Sequence, residues 1–263
     1  MPTLHANGID IHYESYGSGD ETIVFSHGYL MSHRMFDAQI AALKDNYRVI
    51  AFDHRCHGGS TPVTTPFGMY DLVDDAIAVI EQLVGEPVHF MGMSTGGYVG
   101  VRLMIKRPDL LKSMVLIDTG GGAESADSLR QYNMMLFAVR WFGIRSVFNS
   151  AVKILMGEPF RTDPARADLY NYWKTYILGL DKKAIFRFGK AIFGRDSVID
   201  QLRGNELKTL TIVGEQDIAT PPAKSEELKS VLPNSTLVLI PNAGHTSPVE
   251  EPEAVTAAIK NFL

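Results

Sequence analysis

Short apolar runs alternate along the chain with segments whose apolar positions recur every three or four residues, a pattern that predicts strands separated by helices. Thr3–Ala6 and Ile9–Tyr16 read as strands around Asn7-Gly8, a dipeptide suited to a tight hairpin. Thr22-Ile23-Val24-Phe25 is apolar without alternation, as in a strand covered on both faces, and Tyr47–Phe52 repeats the pattern. Helical spacing runs from Ser32 or His33 to Leu43. It returns over Tyr70–Val84, with Leu72, Ala76, Val79, Ile80 and Leu83 on one face. Val88–Met91 and Tyr98–Lys106 read as a strand and a helix, the helix stopping at Arg107-Pro108. Met114–Ile117 is a sixth strand, ending at Asp118 and Gly120-Gly121-Gly122. Leu210–Val213, Pro222–Val231, Thr236–Ile240 and Glu253–Phe262 close the chain as strand, helix, strand, helix. The reading is α/β: a mostly parallel, eight-stranded sheet with helices on both faces.

Residues 123–205 break the alternation. They hold 13 of the 25 aromatic residues (13 Phe, 10 Tyr, 2 Trp), both tryptophans included. They carry 13 Lys and Arg against 8 Asp and Glu, a balance of +5, which leaves -10 for the rest of the chain. Their spacing is helical throughout, with Phe137, Trp141, Ile144 and Phe148 as one stripe. The expected organisation is a core of residues 1–122 and 206–263 with a helical lid, 123–205, inserted after the sixth strand and covering the C-terminal strand ends. Most of its aromatics are expected to form its own interior, and a minority to line an apolar pocket.

Composition narrows the setting. A chain of 263 residues with 45% hydrophobic content suits one α/β domain with an insertion. A formal charge of -5 and a pI near 5.9 argue against nucleic acid or an anionic membrane as the main partner. Cys56 is the single cysteine, so no intramolecular disulfide forms and a reducing compartment fits. The start of the sequence lacks the basic and apolar regions of a secretion signal, and no apolar run has the length of a membrane span. Cytoplasmic residence is expected, with a monomer or homodimer as the assembly.

The candidate chemistry centres on Gly92-Met93-Ser94-Thr95-Gly96, between a predicted strand and a predicted helix. A serine there sits on a tight turn, and the flanking glycines remove the Cβ atoms that would clash. The Thr95 N–H, at a helix N-terminus, points where an oxyanion forms. A serine hydroxyl needs a base, and the chain offers eight histidines. His5 and His12 lie in the hairpin and are expected at the surface; His33 begins a helix and His89 starts the Ser94 strand at its far end. His27, His54 and His57 lie on loops at the correct edge but upstream of Ser94. His245 follows the last strand, in Pro241-Asn242-Ala243-Gly244-His245, and is the chosen base. Asp217, 28 residues earlier, is the chosen acid; Asp118, which also ends a strand, and Glu215 are the alternatives.

The order Ser94, Asp217, His245 and the surrounding motifs resemble the α/β-hydrolase superfamily, over essentially all of the chain outside the lid. On that resemblance His27-Gly28 is the oxyanion loop, with the Tyr29 N–H as second donor beside Thr95. Asp53-His54-Arg55-Cys56-His57-Gly58-Gly59-Ser60 resembles the family's Asp-x-Arg-Gly-x-Gly-x-Ser loop, departing at Cys56, where glycine is usual. His54, Cys56 and His57 are then loop residues rather than metal ligands, and neither metal nor cofactor is expected. Residues 214–222 and 243–253 are similar to 3-oxoadipate enol-lactonases and to α/β-hydrolase N-acyl-homoserine lactonases. The implied activity is serine-dependent ester or lactone hydrolysis, with acyl-homoserine lactone as the leading substrate. His27, Gly28 and the lid residues Tyr132, Trp141, Tyr170, Tyr172, Trp173 and Tyr176 are the candidate substrate contacts. Enol-lactonase or general carboxylesterase activity, perhydrolase or haloperoxidase activity, carbon–carbon bond hydrolysis and a non-catalytic receptor of the same fold are the alternatives.

Overall fold

The apolar runs pair into one sheet. A computed structural model describes residues 2–63 and 65–263. Its strands are β1 (Thr3–Ala6), β2 (Ile9–Tyr16), β3 (Thr22–Ser26), β4 (Arg48–Phe52), β5 (Val88–Met93), β6 (Leu111–Ile117), β7 (Thr209–Gly214) and β8 (Ser235–Ile240). They lie in the order β1-β2-β4-β3-β5-β6-β7-β8. The β1–β2 and β2–β4 pairs are antiparallel and the others parallel. Asn7 (φ 52°) and Gly8 (φ 74°) turn the first hairpin with left-handed backbone, the geometry that matches strand twist. Parallel neighbours need long crossovers, and the helices supply them.

Those helices cover both faces. Ahead of β6 come α1 (Asp37–Leu43), α2 (Met69–Leu83) and α3 (Thr95–Lys106); α1 follows a short 3₁₀ turn, His33–Phe36. Between β6 and β7 run α4 (Ala126–Phe142), α5 (Phe148–Leu155), α6 (Glu158–Thr162), α7 (Ala167–Gly179), α8 (Lys182–Phe193) and α9 (Ile199–Leu202). The chain ends with α10 (Pro222–Val231), α11 (Ser247–Glu250) and α12 (Pro252–Phe262). Leu72, Val79, Val99 and Leu228 of α2, α3 and α10 pack on one face; Ile40, Val255 and Ile259 of α1 and α12 pack on the other. The β3, β5 and β6 ends meet where successive connections leave toward opposite faces, the place where open α/β sheets form a crevice. No helix among the described residues is long and apolar enough to cross a membrane.

The helices between β6 and β7 are tied to the sheet side by tyrosines. Tyr29 donates to the Ile185 carbonyl of α8 at 2.7 Å. Tyr176 of α7 donates to the Met31 carbonyl and accepts from the Gly58 N–H, both at 3.0 Å. Trp173, Ile177, Phe160 and Ile185 are the interior of the insertion, each 1% exposed or less. Two sequence expectations need correction. The stripe Phe137-Trp141-Ile144-Phe148 is not one face, because Gly143 (φ 81°) ends α4 and redirects the chain; Phe137 and Trp141 are exposed, whereas Ile144 and Phe148 are buried. His12 is not at the surface: it is buried against Asp53, which accepts from its Nδ1 at 2.8 Å.

Trp173 is the largest side chain closed off inside the insertion. Trp173→Ala is expected to lower unfolding free energy by about 3–5 kcal/mol, the usual result of deleting a buried aromatic. Denaturant titration followed by circular dichroism checks this, and a loss under 1 kcal/mol contradicts it.

Candidate active site

β5 ends at Met93 and α3 begins at Thr95, leaving Ser94 alone to make the turn. It does so at φ 50°, ψ -107°. A non-glycine residue held there stores about 1–3 kcal/mol of strain, so the surroundings must impose it. They do so by backbone contact: a Cβ on Gly92 would strike the Gly96 backbone, and one on Gly96 would strike the Ser26 carbonyl. The Ser94 N–H donates to the Ile117 carbonyl and its carbonyl accepts from the Thr119 hydroxyl, both at 2.8 Å.

The fixed hydroxyl faces an imidazole. Ser94 Oγ lies 2.9 Å from His245 Nε2, and His245 Nδ1 lies 2.9 Å from Asp217 Oδ2. A carboxylate only accepts, so Nδ1 carries the proton and Nε2 is free to accept from the serine. Thr220 is the neighbour that sequence reasoning missed. Its hydroxyl donates to Asp217 Oδ2 at 2.7 Å and its N–H to Oδ1 at 2.8 Å, which fixes the carboxylate. A threonine three residues after the aspartate was the available signal. Asp118, the alternative acid, makes no bond to His245: it accepts from the Gly214 N–H and from the Ser247 N–H and hydroxyl. Glu215 is exposed. Burial alone would lower the proton affinity of His245. The Asp217 carboxylate outweighs it, with Asp118 and Glu250 adding, and its pKa stands above the ordinary 6.5. Burial, then the neighbouring Asp217, pushes the Asp118 carboxyl well above its usual range.

The loop after β3 closes against the elbow. A Cβ on Gly28 would sit 3.3 Å from that of Ser94, so glycine allows the approach. The N–H groups of Tyr29 and Thr95 have no hydrogen-bond partner among the described residues. Neutral imidazoles hold this loop through their lone pairs: the Leu30 N–H donates to His57 Nε2 at 3.1 Å, and the His54 N–H to His27 Nε2 at 2.9 Å. Burial lowers the pKa of His27 to about 4 and of His57 to about 3, which keeps those lone pairs free. Cys56 stands at φ 68°, the left-handed backbone that makes glycine usual at this position. Its Sγ accepts from the Val63 N–H at 3.3 Å. A different trio converges instead: ligand atoms of His12, His33 and Asp53 lie within 4.8 Å of one another. Asp53 there already accepts from His12 Nδ1, from the N–H and Nδ1 of His33 and from the Gly59 N–H, an arrangement complete without an ion.

Ser94 and His245 open onto a cavity of about 720 Å³ of free space, counting its mouth. Its walls are apolar, from Met135, Leu136 and Val139 of α4, Leu155 of α5, and Ile192 and Phe193 of α8. Tyr98, Tyr132 and Glu124 supply its polar groups. Glu124 is engaged by Arg195 at 2.8 Å, and the Arg195 guanidinium lies 3.7 Å from the centre of the Tyr98 ring. Of the lid residues expected to touch substrate, Tyr132 lines the cavity. Trp141 does not: it lies on the outer face of α4, 59% exposed. The α7 residues also lie off the cavity. Tyr170 is half-buried against the core, Tyr172 is exposed beside Arg34, Trp173 is enclosed, and Tyr176 is spent on Gly58 and Met31. Helix α7 backs the insertion rather than facing Ser94, so its tyrosines have structural partners. His27 and Gly28 shape the loop behind the cavity and do not line it.

A family model for the alpha/beta hydrolase fold matches residues 21–252. The chain is 27% identical to 3-oxoadipate enol-lactonase 2 of Acinetobacter baylyi, over 99% of this chain and 96% of that one. It superposes with a TM-score of 0.89 on a thermophilic esterase from Thermogutta terrifontis, 28% identical, covering 99% of this chain and 95% of the other. Est816, described as an N-acyl homoserine lactone degrading enzyme, shares the fold at TM-score 0.85 and 24% identity, covering both chains fully (100% each).

The electrostatics give a prediction that needs no substrate. The His245 imidazole is expected to titrate above 6.5 by ¹⁵N NMR and to remain charged below that point. Asp217→Asn removes the largest raising influence, so the titration moves to lower pH. An unchanged titration in that variant would place the controlling charge elsewhere.

Proposed function

The chain belongs to the α/β-hydrolase fold family, and on that footing we propose that it hydrolyses carboxylic esters or lactones through an acyl-enzyme on Ser94. The observation that carries the proposal is the continuous contact Ser94 Oγ to His245 Nε2 to Asp217 Oδ2, 2.9 Å at each step, opening onto an apolar cavity. Ser94 Oγ attacks the carbonyl carbon while its proton passes to His245 Nε2. The N–H groups of Tyr29 and Thr95 stabilise the oxyanion, and collapse expels an alkoxide that takes the proton from His245. In a lactone that alcohol stays attached to the acyl group. Water then gives a proton to His245 and attacks the acyl-enzyme, and the Ser94 oxygen leaves and is reprotonated. Asp217 keeps Nδ1 protonated and stabilises the imidazolium.

The leading substrate is an N-acyl-homoserine lactone. The walls suit an alkyl chain, and Tyr132 and Tyr98 offer hydroxyls to the amide. The similarity of residues 214–222 and 243–253 to both enol-lactonases and acyl-homoserine lactonases supports lactone hydrolysis as the class of reaction. An enol-lactone that keeps a free carboxylate fits the cavity less well, because Arg195 is already engaged by Glu124.

The test is purified protein on short and long p-nitrophenyl esters, several acyl-homoserine lactones and an enol-lactone, with Ser94→Ala as blank. Preference for acyl-homoserine lactones by kcat/KM is expected, and Ser94→Ala should abolish turnover while leaving the fold intact. Activity on plain esters with lactones untouched would make the protein a carboxylesterase. Activity retained in Ser94→Ala would sink the acyl-enzyme.

A further inference from the structure

Glu250 is a buried carboxylate beside the base that the reaction above does not use. It belongs to α11 and is 0% exposed. Both of its oxygens are occupied. Oε2 accepts from the N–H groups of Gly157 and Gly244, each at 2.8 Å. Oε1 accepts from the Thr246 N–H at 2.9 Å and its hydroxyl at 2.8 Å. Gly244 and Thr246 flank His245 in the chain, so one carboxylate grips the base on both sides. The remaining donor, Gly157, lies 93 residues away, in the insertion between α5 and α6.

The main chains that meet here leave no room for side chains. A Cβ on Gly157 would stand 2.9 Å from Glu250 Oε2 and 3.0 Å from the Gly244 nitrogen. One on Gly244 would run into the backbone of Met156 and Gly157, and one on Gly214 into the carbonyls of Ala243 and Gly244. Losing the carboxylate strands several buried N–H groups together, so the joint holds or fails as a unit.

We propose that Glu250 is a positioning residue for His245, clamping the base's loop on both flanks and joining it to Gly157 of the insertion. The proposal rests on the acyl-transfer reading of Ser94 and His245. Its consequence is that the helices forming the cavity also seat the base: docking of the insertion and placement of His245 are one event. The groups around His245 are the Asp217 and Asp118 carboxylates, Glu250, the Ser94 and Thr220 hydroxyls, and Glu124, Tyr98 and Tyr132 across the cavity. Arg166 reaches Glu250 only at its main-chain carbonyl, and its guanidinium also holds Glu251 at 3.1 Å. Glu250 therefore adds a negative charge that favours the protonated imidazole.

The test compares Glu250→Gln, Glu250→Asp and Gly157→Ala with wild type and Ser94→Ala in the full chain. It reads kcat, KM, the pH profile of kcat/KM and the His245 NMR titration. Glu250→Gln is expected to lower kcat by about 10–100-fold, the loss that follows from displacing a catalytic group by about 1 Å, with KM held within about twofold. Its acid limb and its His245 titration move to lower pH. Glu250→Asp keeps the charge but not the reach, so kcat falls and the limb stays. Gly157→Ala acts from the insertion side and lowers kcat similarly, and combined with Glu250→Gln it adds nothing further. A folded Glu250→Gln protein with wild-type kcat and an unmoved titration overturns the proposal. If that variant does not fold, the other two decide, and wild-type kcat in both overturns it equally. Absent turnover in wild type, or activity surviving in Ser94→Ala, defeats the acyl-transfer reading instead. The titration shift in Glu250→Gln still reports on the charge beside His245 in that event.

Discussion

The site depends on a turn too tight for side chains. Ser94 adopts φ 50° because β5 must stop and α3 must start within one residue, with Gly92, Gly96 and the Ser26 carbonyl in mutual contact. About 1–3 kcal/mol of local strain is small beside the burial of β3, β5 and β6, which hold the turn between them. The strain has a use: it lifts the hydroxyl off the sheet edge and leaves the Thr95 N–H unpaired at a helix N-terminus. Gly28 makes the same concession from the other side, letting the loop after β3 reach Ser94.

Around that turn the charges are arranged by burial. His27, His54 and His57 are closed off and neutral: the His57 lone pair takes the Leu30 N–H of the loop that faces Ser94, the His27 lone pair takes the His54 N–H, and His54 Nε2 meets the Ser26 hydroxyl. His245 is equally enclosed, but three carboxylates surround it and it is held ready to take a proton. Identical side chains thus do opposite work, decided by whether a hydrogen-bonded carboxylate offsets the burial of the ring.

Much of this was legible in the sequence, for reasons that differ by element. The sheet could be read because β3 and β4 hold the apolar runs Ile23–Phe25 and Val49–Phe52, and the nucleophile turn because its glycines are local to the serine. Asp217 and His245 were legible as residues following strands, and the structure puts both side chains in hydrogen-bond contact. The direction of insertion side chains was not legible. Helical spacing persists past Gly143 on paper, whereas the backbone turns there and sends Phe137 and Ile144 to different environments. Tyr170, Tyr172 and Tyr176 look alike in sequence, and only the docking of α7 shows that none lines the cavity. His12 seemed exposed because hairpins are usually solvated, yet it meets Asp53, which follows β4, the strand paired with β2. Thr220 carried a local signal in its spacing from Asp217, but its contact with His245 is made only by folding, and so is the contact between Glu250 and the Gly157 N–H.

The most direct measurement of the central claim is covalent capture. A fluorophosphonate transfers its phosphonyl group to an activated serine and releases fluoride, and intact-mass spectrometry followed by peptide mapping locates the adduct. The account predicts a single stoichiometric adduct on the peptide holding Ser94, slowed strongly in His245→Ala and absent in Ser94→Ala. Labelling on another residue, or equal labelling in His245→Ala, would contradict it.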